Sequence, residues 1–267
     1  MNACTCDIPK PILEFQESEY VFEGKIISKI YSPDSLNYTV EFEILKHYIK
    51  GNNPKFLQFT FKSEGKYTGT YTSCDWNVEY NEKWLVYAFY WNDKLTFGYN
   101  CSNSRPLNTN GVSEREQRVL DNANEFKINQ YIFTNFDGRF TNSKPKVDID
   151  SLLKIFYKKE YGKSYIENRV NIVVDIDENG KLLAVNLTSH EHLQSEYIKT
   201  IDTIFNLNKP PNIEIRKPKT EFEKDIIVII KKLDKWDITY IKRTKIPVKI
   251  RKFMQFIKEP DEIKVYY

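Results

Sequence analysis

Four cysteines carry the most definite chemistry in the chain: Cys4, Cys6, Cys74 and Cys101, all within the first 101 residues. An even number of thiols confined to one region can oxidise pairwise, which needs a compartment outside the reducing cytosol. The competing chemistry is a four-thiolate zinc site. Zinc takes ligands in close pairs such as C-x-x-C, whereas here Cys4 and Cys6 alone are close, with a single residue between them. The spacing therefore favours two disulfides. Three connectivities are open in principle. A Cys4–Cys6 bridge would be strained, because an extended C-x-C holds its Cα atoms near the upper limit for bridging. Two long loops suit the chain better, each worth about 4 kcal/mol in the chain-entropy model.

The other groups that could do chemistry are sparse. The histidines are His47, His190 and His192. In an extended segment His190 and His192 would point the same way, as ligands must, but no third ligand stands nearby. His47 has no carboxylate or thiol partner that the sequence assigns. There is no G-x-S-x-G, phosphate-cradling loop or dinucleotide fingerprint, and Gly65-Lys66 lacks the rest of a phosphate loop. Tyr87, Phe89, Tyr90 and Trp91 read as barrel core and rim rather than a ligand platform. These residues predict a protein that is not an enzyme and uses neither metal nor cofactor.

The elements that must position the cysteines are strands. Tyr20–Ile27 is an extended, mostly buried run, and Tyr38–Leu45 alternates apolar and polar through Ile44. Phe56–Phe61 alternates too, Trp84–Tyr90 is apolar throughout, and Leu95–Tyr99 follows a turn at Asn92-Asp93. A short helix is expected after Pro9 and Pro11. Five strands joined by short turns in about 100 residues fit a small closed barrel, which removes the exposed edges of a sheet.

In this region the chain resembles the netrin-like module found in the tissue inhibitors of metalloproteinases and in bacterial relatives. The likeness rests on the C-x-C at the start, Phe22-x-Gly24-Lys25, Tyr38-x-Val40, Lys50-Gly51, Ser73-Cys74 and Asn100-Cys101-Ser102, and covers roughly Cys4 to Arg105. It implies an OB-type five-stranded barrel, with Cys4 joined to Cys74 and Cys6 to Cys101. In the inhibitor branch, the free α-amine and carbonyl of the first cysteine chelate the target's zinc. The resemblance carries that role to Cys4, with Thr5 as the small polar residue after it, provided Cys4 is residue one. The structural staple is the preferred role of these cysteines.

Turn-forming residues from Asn103 to Gly111 close the first domain. Ser113-x-x-Glu116 is a capping box that opens a helix to about Phe126, with Val119, Leu120, Ala123 and Phe126 at helical spacing. Next come a helix from Ile149 to about Lys159, a strand Arg169–Ile176, the turn Asp177-Glu178-Asn179-Gly180 and a return strand Lys181–Leu187. A helix Glu221–Leu233 carries Phe222, Ile226, Ile229, Ile230 and Leu233 on one face, and Ile246–Phe256 is a final strand. The order helix, hairpin, helix, strand resembles the C-terminal domain of TonB. The parts that carry this likeness are Val170–Asp177 with Asn179-Gly180, Lys231–Trp236 and Pro247–Ile250. Ser189–Lys219 is extra, and the chain lacks the membrane anchor and Pro-rich span of an energy transducer. The resemblance supplies an exposed edge that can accept a partner's strand. The expected edge is Pro247, Val248, Lys249, Ile250, Arg251, Lys252 and Phe253, its cations guarding against indiscriminate pairing.

The expected organisation is thus α+β and β-rich: an OB-type barrel over 1–110, a helical connector and linker over 111–148, and a small TonB-like α/β domain over 149–267. Composition agrees, with 40% hydrophobic residues and an aromatic share of 15% that leans toward strands. Through Glu125 there are 13 basic and 17 acidic residues, and beyond it 27 and 20. Ile238–Lys258 holds seven basic residues and no acidic one, which reads as a solvated face rather than a nucleic-acid surface because no nucleic-acid motif accompanies it. No apolar run approaches the ~18 residues of a transmembrane helix. The small Ala3 before Cys4 looks like the trimmed edge of an export signal, so Met1 is expected to be an artificial start and the natural precursor to carry a leader. The resulting expectation is an exported protein-binding protein, periplasmic, outer-membrane-associated or secreted, with a lipid anchor on Cys4 left open. A metalloprotease inhibitor acting through Cys4 and a TonB-like envelope transport component are the alternatives, so the partner is a metalloprotease, an envelope protein or another protein.

Overall fold

A computed structural model describes residues 8–71, 76–107, 111–134, 139–159, 165–188, 202–207 and 217–266, and divides the chain into two units, Met1–Phe126 and Lys127–Tyr267. The protein is α+β, and strand outweighs helix, 39% to 20%, in line with its aromatic content. The segment 111–148, expected as a connector, contributes elements to both units.

The first unit opens with α1 (Pro11–Glu17). The strands β1 (Tyr20–Tyr31), β2 (Asn37–His47), β3 (Phe56–Lys62), β4 (Lys83–Trp91), β5 (Lys94–Phe97) and β6 (Arg105–Pro106) follow, with a single helical turn α2 (Gly65–Thr68) after β3. They form one antiparallel sheet in the order β3-β2-β1-β4-β5, with β6 on β4. The sheet is curled into a half-barrel. Its end strands β3 and β5 share no ladder, so the backbone does not close the barrel expected from the sequence, and side chains meet between the two strands instead. Phe59 and Phe61 meet Phe97 with ring centroids 5.0 and 5.1 Å apart, edge to face. Trp76 stacks on Tyr99 at 4.6 Å beside them.

The curl has a local cause at Gly24. There the pairing of β1 with β2 shifts register, and a β-carbon would lie 2.8 Å from the Phe22 ring and 3.1 Å from that of Phe42. Only a glycine lets those two rings close over the bend. The pair Tyr90 and Trp91, read from the sequence as barrel rim, is more than half exposed at the β4–β5 tip, whereas Tyr87 is fully buried. After β6, α3 (Glu114–Asn122) runs into a 3-10 turn that ends at Glu125.

The second unit contains β7 (Ile132–Thr134), α4 (Ile149–Lys159), β8 (Arg169–Ile176), β9 (Leu182–Leu187), α5 (Glu221–Ile230), β10 (Lys249–Lys258) and β11 (Ile263–Tyr266). Its sheet runs β11-β10-β8-β9, and β7 pairs in parallel with the start of β10. Gly180 closes the β8–β9 hairpin at φ +77°. Its carbonyl accepts from Trp236 N–H at 2.7 Å, and any β-carbon would press into the Trp236 carbonyl oxygen. α5 starts at a complete capping box between Thr220 and Glu223.

The expected partner edge at Pro247–Phe253 is corrected by this topology. β10 is internal: β8 flanks one side, and β7 and β11 flank the other. Ile250, Arg251 and Lys252 are buried, so the cations do not guard an edge. The reason is that each charge has a partner inside. Arg251 makes a two-point ion pair with its cross-strand neighbour Asp175, both contacts at 2.6 Å. Lys252, on the opposite face, donates to the Ser143 carbonyl and lies 5.7 Å from the Trp236 ring.

Candidate functional site

Cys101 is disulfide-bonded. Its partner is Cys4, Cys6 or Cys74, and these, like Thr5, lie outside the described residues. The surroundings of Cys101 are described, and they converge on the start of the chain.

α1 begins where Pro11 occupies the first helical turn, a position in which its missing N–H costs nothing. It ends after Glu17, where the Ser18 hydroxyl donates to the Glu14 carbonyl at 2.7 Å. Ile12, Leu13 and Phe15 are buried beneath it. Glu14 is also buried, at 5% exposure, and its carboxylate is paired. Ser102 Oγ donates to Glu14 Oε1 at 2.5 Å, while Asn103 donates to Oε2 from both its backbone N–H (2.7 Å) and its side-chain Nδ2 (2.6 Å). The same Nδ2 donates to the Pro9 carbonyl at 2.9 Å. A carboxylate on the first helix thus grips the two residues directly after Cys101, using bonds to a charged acceptor that are about twice as strong as neutral ones.

A second carboxylate extends the arrangement. Glu116, near the start of α3, accepts from Arg105 Nη2 at 2.5 Å and Nη1 at 3.2 Å, and from the Tyr87 hydroxyl at 3.2 Å. Burial, with Glu116 and Glu14 nearby, pushes the Tyr87 phenol well above its ordinary pKa and keeps it a neutral donor. Ser104 Oγ accepts the Tyr87 backbone N–H at 2.9 Å. The turn from Cys101, itself left-handed at φ +59°, to Arg105 is therefore fixed to α1, α3 and β4 together. Chemically this is a rigid mount. Glu14 accepts from three donors and Glu116 is held by a guanidinium, so both carboxylates are poorly placed to move protons.

The other sequence-derived candidates that lie among the described residues do not join it. His190 and His192 lie outside the described residues. His47 Nε2 sits 2.9 Å from the Pro54 carbonyl, a local contact at the end of β2. Gly65 and Lys66 belong to the single-turn α2, where Lys29 bridges Glu64 and Asn77 over the Tyr31 and Tyr38 rings. The Glu14 mount went unread in the sequence. No local signal announced it: at helical spacing Glu14 projects from the face opposite Ile12, Leu13 and Phe15, and only donors distant in sequence bury it.

No family model matches this chain. No curated protein matches it either. Among the described residues no helix is long and apolar enough to cross a membrane.

Proposed function

We propose that the chain is an exported, non-catalytic binding protein whose start is stapled onto a netrin-like, OB-type module. The observation that carries this reading is the disulfide at Cys101 set beside the buried Glu14 clasp. The clasp fixes α1 to the turn after Cys101, and a bond from Cys6 to Cys101 would staple the chain start to the same turn, an arrangement that suits a rigid presenting surface rather than a reaction centre. The sheet order lends support, because β1 pairs with both β2 and β4, as the first strand of an OB-type barrel does. The inferred pairing is Cys4 with Cys74 and Cys6 with Cys101.

For the second unit we favour a TonB C-terminal-like domain. The order α4, β8–β9 hairpin, α5, β10 supports it, and β10 lies antiparallel to β8 as the third strand of the motif. The additions β7 and β11 flank that strand and take the place of a free edge, so partner binding is assigned to the first unit. The proposal is tested on the protein as its natural host makes it, by mass spectrometry of the mature amino terminus in each cell fraction. A leader-trimmed chain outside the cytosol is the expected result. An untrimmed chain confined to the cytosol overturns the reading.

A further inference from the structure

We propose that a cavity in the second unit, rimmed by Lys146, Lys181 and Lys235, binds an organic phosphate, with the phosphate dianion on the lysines and an apolar body against Leu182 and Ile238. The site stands apart from the binding role assigned to the first unit. An untrimmed, cytosolic chain would leave it in place.

Register places the lysines. The Gly180 carbonyl accepts from Trp236 N–H at 2.7 Å, and the Asp234 carbonyl accepts from Leu182 N–H at 3.0 Å. These two bonds bracket Lys181 and Lys235 as a directly opposed, antiparallel pair that shares no hydrogen bond. In such a pair the Cα atoms approach to about 4.5 Å and both side chains leave on one face. On the other side of Lys235, Pro145 opposes Trp236, and Lys146 N–H donates to the Lys235 carbonyl at 2.8 Å. Lys146 therefore shares the same face. Three lysines from three adjacent segments stand in one row, and like charges directly opposed destabilise a sheet. Lys146 is ion-paired with Asp237, whereas Lys181 and Lys235 make no ion pair among the described residues.

The row borders a cavity of about 440 Å³ completed by Asn179, Leu182, Asp234, Trp236 and Ile238. That volume takes a small organic molecule. Trp236 makes a rigid wall, being 2% exposed with its indole N–H donating to the Leu233 carbonyl at 2.7 Å. Ile238, 37% exposed, offers apolar surface nearby. A backbone donor is open as well. In extended chain the N–H and C=O of one residue point the same way, so Lys235 N–H faces the Lys146 segment. It donates to no acceptor among the described residues. Charge then sets the class of ligand. Lys146, Lys181 and Lys235, with Lys144 across from Asp237, stand against Asp234 and Asp237. Four cations and two anions leave a surplus that a phosphate monoester dianion neutralises and a single carboxylate does not. Lysine binds phosphate as a point charge, without the planar fork that a carboxylate site would favour.

The test is titration of the full chain with phenyl phosphate, inorganic phosphate and phenol, read by calorimetry and by amide NMR shifts. The wild type is compared with K181A, K235A, K181A/K235A and K224A. All three lysines are exposed, so their loss leaves the fold intact. Phenyl phosphate should bind with a Kd of about 1 mM or tighter, outbind inorganic phosphate, and shift the Lys235 amide the furthest. K181A and K235A should each weaken it about 3- to 10-fold, between the values for an exposed ion pair and a desolvated one. The double variant should abolish the Lys235 shift. K224A, which removes an ion pair with Glu221 on α5, should change nothing. Phosphatidylcholine vesicles doped with phosphatidic acid locate the source of the phosphate. Retention that phenyl phosphate competes away assigns a lipid headgroup, while phenyl phosphate binding without retention assigns a soluble ester, and both support the site. Binding of phenol or inorganic phosphate as tight as that of phenyl phosphate overturns the proposal. So does affinity unmoved in K181A/K235A, or no binding of any phosphate probe. A single-stranded oligonucleotide that outbinds phenyl phosphate and loses affinity in the same variants would also overturn it, making the row a nucleic-acid contact.

Discussion

In the first unit the buried charges lie at the rim of the sheet, where Glu14 and Glu116 fasten α1 and α3 to the turn after Cys101. In the second, apart from the capping Glu223, they lie in the middle of the sheet, where consecutive residues of β10, Arg251 and Lys252, point to opposite faces. The interior of the first sheet is built of aromatic rings, and its charges attach peripheral pieces. The second unit commits charge to its central strand, where any unpaired group would be surrounded by protein. The comparison separates two uses of a buried ion. One adds a fastening that the core does not need. The other makes the core conditional on a partner, since an ion pair removed from water contributes little net stability while breaking it is costly.

The largest effect should come from breaking the central pair. D175A leaves the Arg251 guanidinium buried and uncompensated, and should cost the second unit about 3–5 kcal/mol in denaturant unfolding. Replacing both partners with apolar residues of similar volume should cost far less, and an equal loss in the double variant would show that the pair itself supplies the stability.

Next comes Lys252, whose pKa is pushed down to about 8, first by burial, then by repulsion from Lys144, with Asp237 pulling the other way. In the unfolded chain this amine titrates near 10.5. Between about pH 8 and 10.5 the unfolded state therefore binds the extra proton, and stability should rise with pH across that window by roughly 2–3 kcal/mol. K252M should flatten the rise and be the more stable protein at pH 7, as thermal melts from pH 7 to 10.5 would reveal. An unchanged slope in K252M would assign the pH dependence to other groups.

G180A should cost more than about 1 kcal/mol, since φ +77° and the Trp236 carbonyl both exclude a side chain. The smallest effects should be at the helix caps. S113A on α3 and T220A on α5 each remove a side-chain acceptor and should cost about 1 kcal/mol, with the loss confined to the unit concerned. Equal destabilisation of both units by either one would contradict their separate description.

Much of this architecture was legible where one face of a strand is wet. β2 alternates cleanly, and its buried Tyr38, Val40 and Phe42 are the ones its pattern predicts. The Asn179-Gly180 turn and the Ser113 cap act through chemistry local in sequence, and both were read, whereas the Thr220 cap was not. β10 was misread for the converse reason. Lysine and arginine in a strand signal solvent, and only Asp175, 76 residues away, turns that signal around. The small strands β7 and β11 escaped notice because three or four residues carry no periodicity of their own. The Glu14 clasp is likewise invisible to pattern, since its donors come from residues 88 and 89 positions distant.

The account depends most directly on the oxidation state of the cysteines in the protein as its natural host makes it. Thiol titration without reduction, followed by disulfide mapping of proteolytic fragments, should find no free sulfhydryl and should recover Cys101 linked to Cys6 and Cys74 linked to Cys4. Four free thiols, or a metal held among them, would contradict both the exported location and the stapled chain start.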